Sequence, residues 1–179
     1  MTTIERTAYP RFKSSFTQDE LEHFYQPTES DAAFVENRAT DETQQLAMMV
    51  LLKAFQKLGY LPKLDDVPVS VGKYIVKQMQ YPWTDQLHDL PRMTRSRYRQ
   101  AIYTHLDIKA FREGGQEAVE TIVRQATRTM SDPADLINVA IEQLIVERFE
   151  LPAYRTLDEL VNHIRHQAHQ ELYAQVTAN

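Results

Sequence analysis

The segment from Asp41 to Leu58 limits the fold of this chain more than any other stretch does. Its residues 46–55 read LAMMVLLKAF, so a helix here is apolar on nearly every side, with Lys53 as the exception. A helix that is apolar all round is buried, with other helices packed around it. The apolar run is far too short to cross a bilayer. The sequence therefore predicts a central, buried helix over this segment.

Glycine and proline are distributed as in a helical protein. The chain of 179 residues contains 4 glycines, and its 8 prolines lie mostly between segments with helical periodicity. This usage is typical of helices joined by proline-marked connections and not of a turn-rich β protein. No stretch alternates convincingly between apolar and polar residues. We predict an all-α fold with helices over 17–25, 28–39, 41–58, 69–79, 94–106, 115–130, 133–148 and 156–175.

Residue types that start and end helices support these boundaries. Three threonines are each followed three residues later by an acidic residue, which is the pattern of a capping box: Thr17, Thr28 and Thr156. Gly59 is placed to end the central helix. Pro133 is suited to a first helical position, and Thr94 is predicted to start the helix that follows the linker.

Prolines also divide the chain. The segment QYPWTDQLHDLPR at 80–92 contains two prolines and little helical periodicity. We predict two helical subdomains with helix-turn-helix-like units, residues 1–80 and residues 94–179, joined by a proline-containing linker over 81–93. The helix-turn-helix-like unit of the second subdomain is expected near residues 134–175.

Arginine is concentrated in one stretch of an otherwise acidic chain. The formal net charge is -5, yet PRMTRSRYRQAIYTHL at 91–106 contains four arginines and no acid. On a helix these side chains extend to both flanks of the buried stripe, where they could grip phosphates beside the exposed N–H groups of the helix start. The alternative is a solvated face that pairs with acidic residues elsewhere. The candidates for DNA contact are Arg92, Arg95, Arg97 and Arg99.

A second candidate lies in ERFELPAYRTLDELVNHIRHQAH, where Pro152 separates two helical segments. A helix, a short turn and a capped helix form the outline of a helix-turn-helix unit. The second helix carries residue types that hydrogen-bond base edges or phosphates. Simple helix packing explains the same pattern equally well. The candidates here are Tyr154, Arg155, Thr156, Asn162, Arg165 and His166.

Two further groups of basic residues are weaker candidates. The first 16 residues are predicted to form an irregular arm that could reach the DNA backbone through Arg6, Arg11 and Lys13. Lys53 and Lys57 are one turn apart on the central helix. They could contact phosphates, or they could bury their stems and extend their ammonium groups to solvent, which is the reading we favour.

Sequence motifs for catalysis or cofactor binding are absent. There is no cysteine, no phosphate-binding glycine loop and no nucleophile elbow. His163, His166 and His169 recur every three residues, so their rings precess around a helix and do not converge on a metal. The N-terminal stretch has no apolar run of signal-peptide length. We expect no enzyme activity, no cofactor, no metal site and no membrane association, and a cytoplasmic protein.

Three stretches of the chain resemble a known family. YPRF (9–12), LLKAFQKLGYLPKLDDVP (51–68) and ELPAYRTLDEL (150–160) look like signatures of the N-terminal region of Tn-three family transposases. The resemblance extends from about residue 4 to 175. One departure is the pair Gln44-Gln45, where many relatives carry a basic residue.

The resemblance implies a role in DNA recombination. In that family this region recognises the terminal inverted repeats of the transposable element, and the metal-dependent acidic triad lies in a distant C-terminal domain. It therefore implies a DNA-binding fragment without the catalytic domain, located at the bacterial nucleoid. Its partners would be double-stranded DNA and the remaining domains of the transposase, with a homodimer as one assembly. The alternatives are a helical oligomerisation module, or a truncated transposase that represses transposition.

Overall fold

The computed structural model describes residues 2–81 and 90–177, and its regular elements in these ranges are helices. Its α-helices are α1 (Gln18–Tyr25), α2 (Glu29–Glu36), α3 (Glu42–Leu58), α4 (Val69–Met79), α5 (Arg92–Leu106), α6 (Gly115–Ala126), α7 (Pro133–Val146) and α8 (Tyr154–Thr177). The described residues form no strand, apart from one isolated bridge between Lys109 and Phe149. The predicted all-α class is confirmed. None of the described helices has the length and apolar character needed to span a bilayer.

The chain forms two compact units. The N-terminal unit is Pro10–Asp107, and the C-terminal unit combines Met1–Tyr9 with Ile108–Asn179. These bounds differ from the predicted subdomains 1–80 and 94–179, because α5 belongs to the N-terminal unit and the first nine residues belong to the C-terminal one. Most of the predicted linker 81–93, namely residues 82–89, lies outside the described residues.

Helix α5 joins the N-terminal unit through its buried face. The Tyr98 hydroxyl donates a hydrogen bond to Gln44 Oε1 at 3.3 Å. Tyr103 packs against Phe55 with 5.4 Å between ring centroids, and Ile102 is fully buried. Through these contacts α5 packs on α3, although the two helices are far apart in the sequence.

Helix α3 is the core of the N-terminal unit, as the sequence predicts. Every residue from Leu46 to Phe55 is buried, and α1, α2 and α4 all contact this helix. Removing a leucine-sized side chain from water contributes about 1.5–3 kcal/mol, so this segment supplies much of the driving force for folding the unit. Lys53 is also buried, at 6% exposure.

Most helix ends follow the predicted caps. The Thr17 hydroxyl accepts from Glu20 N at 3.2 Å and Thr17 N donates to the Glu20 carboxylate at 3.0 Å, and Thr28 and Asp31 form the same reciprocal capping box. Gly59 ends α3 with φ of 72°, a left-handed conformation that glycine adopts without steric cost.

Several predicted boundaries are wrong, including the end of α2, which lies at Glu36 and not at residue 39. Helix α5 starts at Arg92, directly after Pro91, and not at Thr94. Helix α8 starts at Tyr154, where the Leu157 N–H bonds Ala153 O at 3.1 Å, so Thr156 lies inside the first turn and is not the cap. Helix α6 ends at Ala126, four residues before the predicted end. At the start of α8, Tyr154 contacts Thr2 and Tyr9, and these tertiary contacts override the local preference of Thr156 for a cap.

The C-terminal unit is built on helices α6, α7 and α8, which pack on one another. Their facing side chains are buried, including Val119, Val123, Leu136, Ile137, Leu144, Leu157, Val161 and Ile164. The connection between α7 and α8 spans residues 147–153. Lys109 fixes it, because Lys109 N donates to Arg148 O at 2.8 Å and Lys109 O accepts from Glu150 N at 2.9 Å.

The first residues of the chain complete the C-terminal unit by packing on α7 and α8. Ala8 N donates to Asn138 Oδ1 at 2.7 Å. The buried Tyr9 hydroxyl donates to Pro152 O at 2.7 Å, and the Tyr9 ring meets Tyr154 edge-on at 5.4 Å. The segment that the sequence suggests as a DNA-reaching arm is therefore partly a structural element of this unit.

Candidate nucleic-acid interface

Helix α5 carries the most concentrated positive charge in the described structure. Its four arginines are all exposed, and no acidic residue lies between Arg92 and Leu106. The helix forms because Tyr98, Ile102 and Tyr103 bury one face, which leaves the charged face outward. Pro91 precedes the helix and makes no side-chain cap, so the N–H groups of the first turn have no side-chain acceptor from that residue.

Two of these arginines lie on one flank of α5, as predicted. The Arg95 guanidinium donates to Pro62 O at 3.2 Å, and the Arg99 Nε–H donates to the Tyr103 hydroxyl at 3.1 Å. The acceptor of Arg95 is a neutral carbonyl, so this contact does not cancel the positive charge of that side chain. The contacts also reduce the entropy that these long side chains lose on binding.

Arg97 lies on the other flank and shares a cleft with Arg38, which follows α2. The cleft encloses about 350 Å³ and is lined by Arg38, Arg97, Tyr98, Gln100, Ala101 and Thr104. Neither guanidinium group forms a hydrogen bond or an ion pair with the residues that the structure describes. The α5 arginines therefore extend to both sides of the buried stripe, as the helical spacing predicts.

The basic residues of the N-terminal arm are distributed over both units. Arg6 pairs with Asp132 at 2.9 Å in the C-terminal unit. The backbone N–H of Ala134 and the Arg6 guanidinium hold the pKa of Asp132 below its usual value. In the N-terminal unit, Lys13 pairs with Glu20, and Arg11 is exposed. Arg6 and Lys13 would have to exchange these partners for phosphates.

Lys53 leaves the set of DNA-contact candidates because it is buried. Its ammonium lies 3.2 Å from the carboxylate of Asp31, and both side chains are less than a tenth exposed. Burial opposes ionisation of Asp31, but the N–H of Thr28 and the charge of Lys53 outweigh it and lower the pKa of this carboxyl. Gln56 donates to the other carboxylate oxygen at 3.2 Å. This pair holds α2 against α3.

Lys57 and the pair Gln44-Gln45, also on α3, form internal contacts. The Lys57 ammonium lies 3.3 Å from the centroid of the Phe24 ring, a cation–π contact that joins α3 to α1. Gln44 and Gln45 accept hydrogen bonds from the hydroxyls of Tyr98 and Tyr81. The pair that replaces a basic residue of the resembled family therefore packs α5 and the end of α4 against α3.

The first turn of α8 is covered by the start of the chain. The Tyr154 hydroxyl donates to Thr2 O at 2.8 Å, and Thr2 N donates to the buried carboxylate of Asp158 at 3.0 Å. The connection before α8 has seven residues (147–153), longer than the three or four of a minimal helix-turn-helix. Tyr154 therefore serves the packing of the C-terminal unit in this structure.

Most of the remaining α8 candidates have partners close by. Arg155 pairs with Glu159 at 2.7 Å, and the Asn162 amide donates to Asp158 one turn earlier. Arg165 donates to Ser131 O at 3.3 Å. Thr156 and His166 are exposed, and His166 contacts the amide of Gln170. The face that reads as a recognition helix in sequence is thus largely satisfied within the unit.

Charge is divided unequally between the two units. The N-terminal unit carries twelve lysines and arginines against thirteen aspartates and glutamates, and the C-terminal unit carries eight against twelve. The formal charges are therefore -1 and -4. The N-terminal unit presents its positive charge on α5, so it is the more suitable of the two for a polyanion.

Sequence reasoning missed Arg38, Gln100 and Thr104 as members of a basic cleft. Gln100 and Thr104 are polar residues on the outer face of α5, and Arg38 is an isolated arginine 59 positions before Arg97. No sequence spacing connects Arg38 with α5. The stacking of Phe34 on His105, with 4.0 Å between centroids, brings the end of α2 beside α5 and creates the cleft.

Comparison with known proteins gives a family. No curated protein matches the chain. One family model, described as "Domain of unknown function (DUF4158)", matches residues 1–164. That description assigns no activity, so it is compatible with several functions for a helical protein. Because the match covers most of the chain, this protein belongs to the DUF4158 family.

Proposed function

We propose that this chain is a DNA-binding module of the Tn-three transposase type, which recognises terminal inverted repeats. The observation that carries the proposal is helix α5, with four exposed arginines and no acid over Arg92–Leu106. The motifs shared with the resembled family supply the link to transposition and to the bacterial nucleoid. On this proposal the remaining transposase domains are the protein partners.

The outer face of α5 has the chemistry of a groove-facing helix. Ser96, Gln100 and Thr104 lie on the side opposite the buried stripe and are exposed. Glutamine pairs with adenine edges, and serine and threonine serve either base edges or phosphates. The absence of acid on this helix matters, because a carboxylate would repel the phosphates on both sides of a groove.

The flanking arginines would then position the helix. Arg92 and Arg95 stand in the first turn, where the N–H groups of the helix start also favour anions. Phosphate contacts fix the register of a protein on a duplex and supply most of its affinity. If Arg92, Arg95 and Arg99 each neutralise one phosphate, binding weakens with salt by a log–log slope of about -2.7 from this helix alone.

The test is fluorescence anisotropy of the full chain on a labelled duplex from the terminal repeat of the element that encodes it. A shuffled duplex of the same composition serves as the reference, and both are titrated at several salt concentrations. We expect a preference for the repeat of at least about 4 kcal/mol, the lower end for specific readers. Equal, salt-sensitive affinity for both duplexes would reduce the proposal to backbone binding.

The double variant Arg95→Ala/Arg99→Ala examines the role of α5 in the same assay. Affinity should fall by about tenfold or more and the salt slope should flatten by about two, because two phosphate contacts are removed. A folded variant with unchanged affinity and slope would remove α5 from the interface.

A second candidate function, an interaction module of the transposase, is favoured by a different feature. Ile145 and Val146, at the end of α7, are 57% and 76% exposed. Adjacent exposed apolar residues are typical of protein contact surfaces. Sedimentation would separate the two functions, since apolar self-association persists at high salt and binding to DNA phosphates does not.

A further inference from the structure

The cleft between α5 and the end of α2 is held open by contacts within the N-terminal unit. Its floor is Tyr98, whose hydroxyl is bound to Gln44. Its rim at Arg38 is fixed because Arg38 N donates to Val35 O at 3.0 Å, and the Asn37 amide donates to Ala33 O at 2.8 Å. The geometry therefore exists before any ligand binds, which lowers the entropic cost of binding.

The lining of the cleft is cationic and free of acid. Arg38 and Arg97 are both exposed and neither pairs with the other residues that the structure describes. Two guanidinium groups that face one cleft repel each other, and an anion between them removes that repulsion. Gln100 adds neutral hydrogen-bonding capacity, and the Thr104 hydroxyl, which donates to Gln100 O at 2.9 Å, keeps its lone pairs outward.

Asp41 is the acidic residue whose charge acts on Tyr98, at the floor of the cleft. Burial raises the pKa of Tyr98, with Arg97 opposing the shift and Asp41 reinforcing it, so Asp41 acts on the same ring as Arg97. Its oxygens accept from the backbone N–H of Gln44 at 2.8 Å and from the Gln44 amide. Asp41 therefore caps α3, and it forms no ion pair with Arg38 or Arg97 among the described residues.

We propose that this cleft seats one phosphate group, gripped by the guanidinium groups of Arg38 and Arg97 together. The phosphate expected there is one of the DNA backbone, beside the groove that α5 faces. In this respect the inference rests on the proposed function. Arginine binds phosphate oxygens in a planar, bidentate fashion, so two arginines can satisfy all the non-bridging oxygens of a phosphodiester. A free phosphate ion offers the same chemistry and is the other source.

A double-mutant cycle tests whether Arg38 and Arg97 bind the same phosphate group. Arg38→Gln, Arg97→Gln and the double variant are compared with the parent chain on the duplex over a salt series. Each single change should cost about tenfold in affinity, and the double change should cost little more than either, because both side chains hold one group. The log–log salt slope should flatten by about one in the double variant, not by two.

Arg112→Gln is the matched control, since Arg112 is an exposed arginine of the C-terminal unit. This change removes the same charge from the chain. It should alter the affinity for the duplex by less than about twofold and leave the salt slope unchanged. If Arg38→Gln behaves like this control while the parent chain binds the duplex, the cleft proposal is overturned and the proposed function stands.

A second measurement separates failure of the cleft from failure of the proposed function. Tm is measured for the parent chain and for the Arg38→Gln/Arg97→Gln variant with inorganic phosphate added. The reference is a chloride salt at equal ionic strength, without phosphate or sulfate. If no duplex binds but phosphate raises Tm of the parent chain only, the proposed function fails and the site takes a free phosphate. If neither duplex nor phosphate has an effect that depends on these arginines, both proposals fail.

Discussion

Helices α5 and α8 both carry exposed cationic side chains, but the surroundings of those side chains differ. Helix α5 has no acid over its whole length, and Arg92 and Arg97 pair with no residue in the described ranges. Helix α8 contains Asp158, Glu159 and Glu171, and its Arg155 is paired with Glu159. Helix α5 also carries four arginines against two on α8, so both the count and the neighbouring residues favour α5 for contact with an anion.

The two helices also differ in what covers them. The first turn of α5 carries no side-chain cap. The first turn of α8 holds the start of the chain through Tyr154 and Asp158. A polyanion that approached Tyr154 would have to displace contacts that also close the core of the C-terminal unit around Tyr9. On the proposed function, DNA contact is therefore expected at α5, while the start of α8 packs within the C-terminal unit.

The largest expected effect concerns the framework that supports α5, not its surface. Lys53→Met leaves the buried Asp31 carboxylate without its cation, which should lower the free energy of unfolding by about 3–5 kcal/mol. The double variant Lys53→Met/Asp31→Asn should recover most of that loss, because it removes the charge together with its partner. Urea denaturation of the full chain measures both.

The same variants decide whether Lys53 has any part in DNA binding. Affinity for the duplex per folded molecule should be unchanged in Lys53→Met/Asp31→Asn, since the ammonium is buried. A folded double variant with weakened, less salt-dependent binding would return Lys53 to the interface and would break the assignment of contact to α5 alone.

A smaller effect distinguishes the two helices directly. Arg155→Ala/Arg165→Ala removes two charges from α8, just as Arg95→Ala/Arg99→Ala removes two from α5. The α8 variant should lose less than about threefold in duplex affinity, because its arginines are bound to Glu159 and to Ser131 O and exposed pairs contribute little. Anisotropy over the same salt series compares both variants. Equal losses would mean that α8 shares the interface and that total charge, not local surroundings, controls binding.

The smallest effect is on the pH dependence of stability, and it is compared at two aspartates with a lowered pKa, Asp31 in the N-terminal unit and Asp132 in the C-terminal unit. The pKa of Asp31 is lowered although burial opposes this, and that of Asp132 is lowered by the N–H of Ala134 and by Arg6. Both contribute stability that is complete above the ordinary aspartate value of 3.8 and is lost as pH falls through the lower, folded value.

Acid titration followed by urea denaturation checks this difference between the units. Asp31→Asn should flatten the fall in stability below about pH 4 more than Asp132→Asn does, because the exposed Asp132 is screened by solvent. A larger effect of Asp132→Asn would show that the contact of Arg6 fixes the arm more strongly than its exposure implies.

Much of the fold is predictable from local sequence. The apolar run of α3, the capping boxes at Thr17 and Thr28 and the glycine that ends α3 all appear in the structure as expected. Each depends on residues within one or two turns of each other, where spacing determines the hydrogen bonds. The arginines of α5 belong to this class too, because the spacing of its buried residues already directs them outward.

Tertiary structure decided which basic residues stay available. Lys53 pairs with Asp31, which lies 22 positions earlier in the sequence. Thr2 bonds Asp158, which lies 156 positions later. Arg38 lies beside Arg97 because α2 packs on its neighbours. Such contacts form when distant helices close on a common core, and no periodicity in the chain encodes which partners meet. The sequence by itself determined the helices and their faces, through local hydrogen bonding and hydrophobic spacing. Packing alone determined which charges are neutralised and which remain for a ligand.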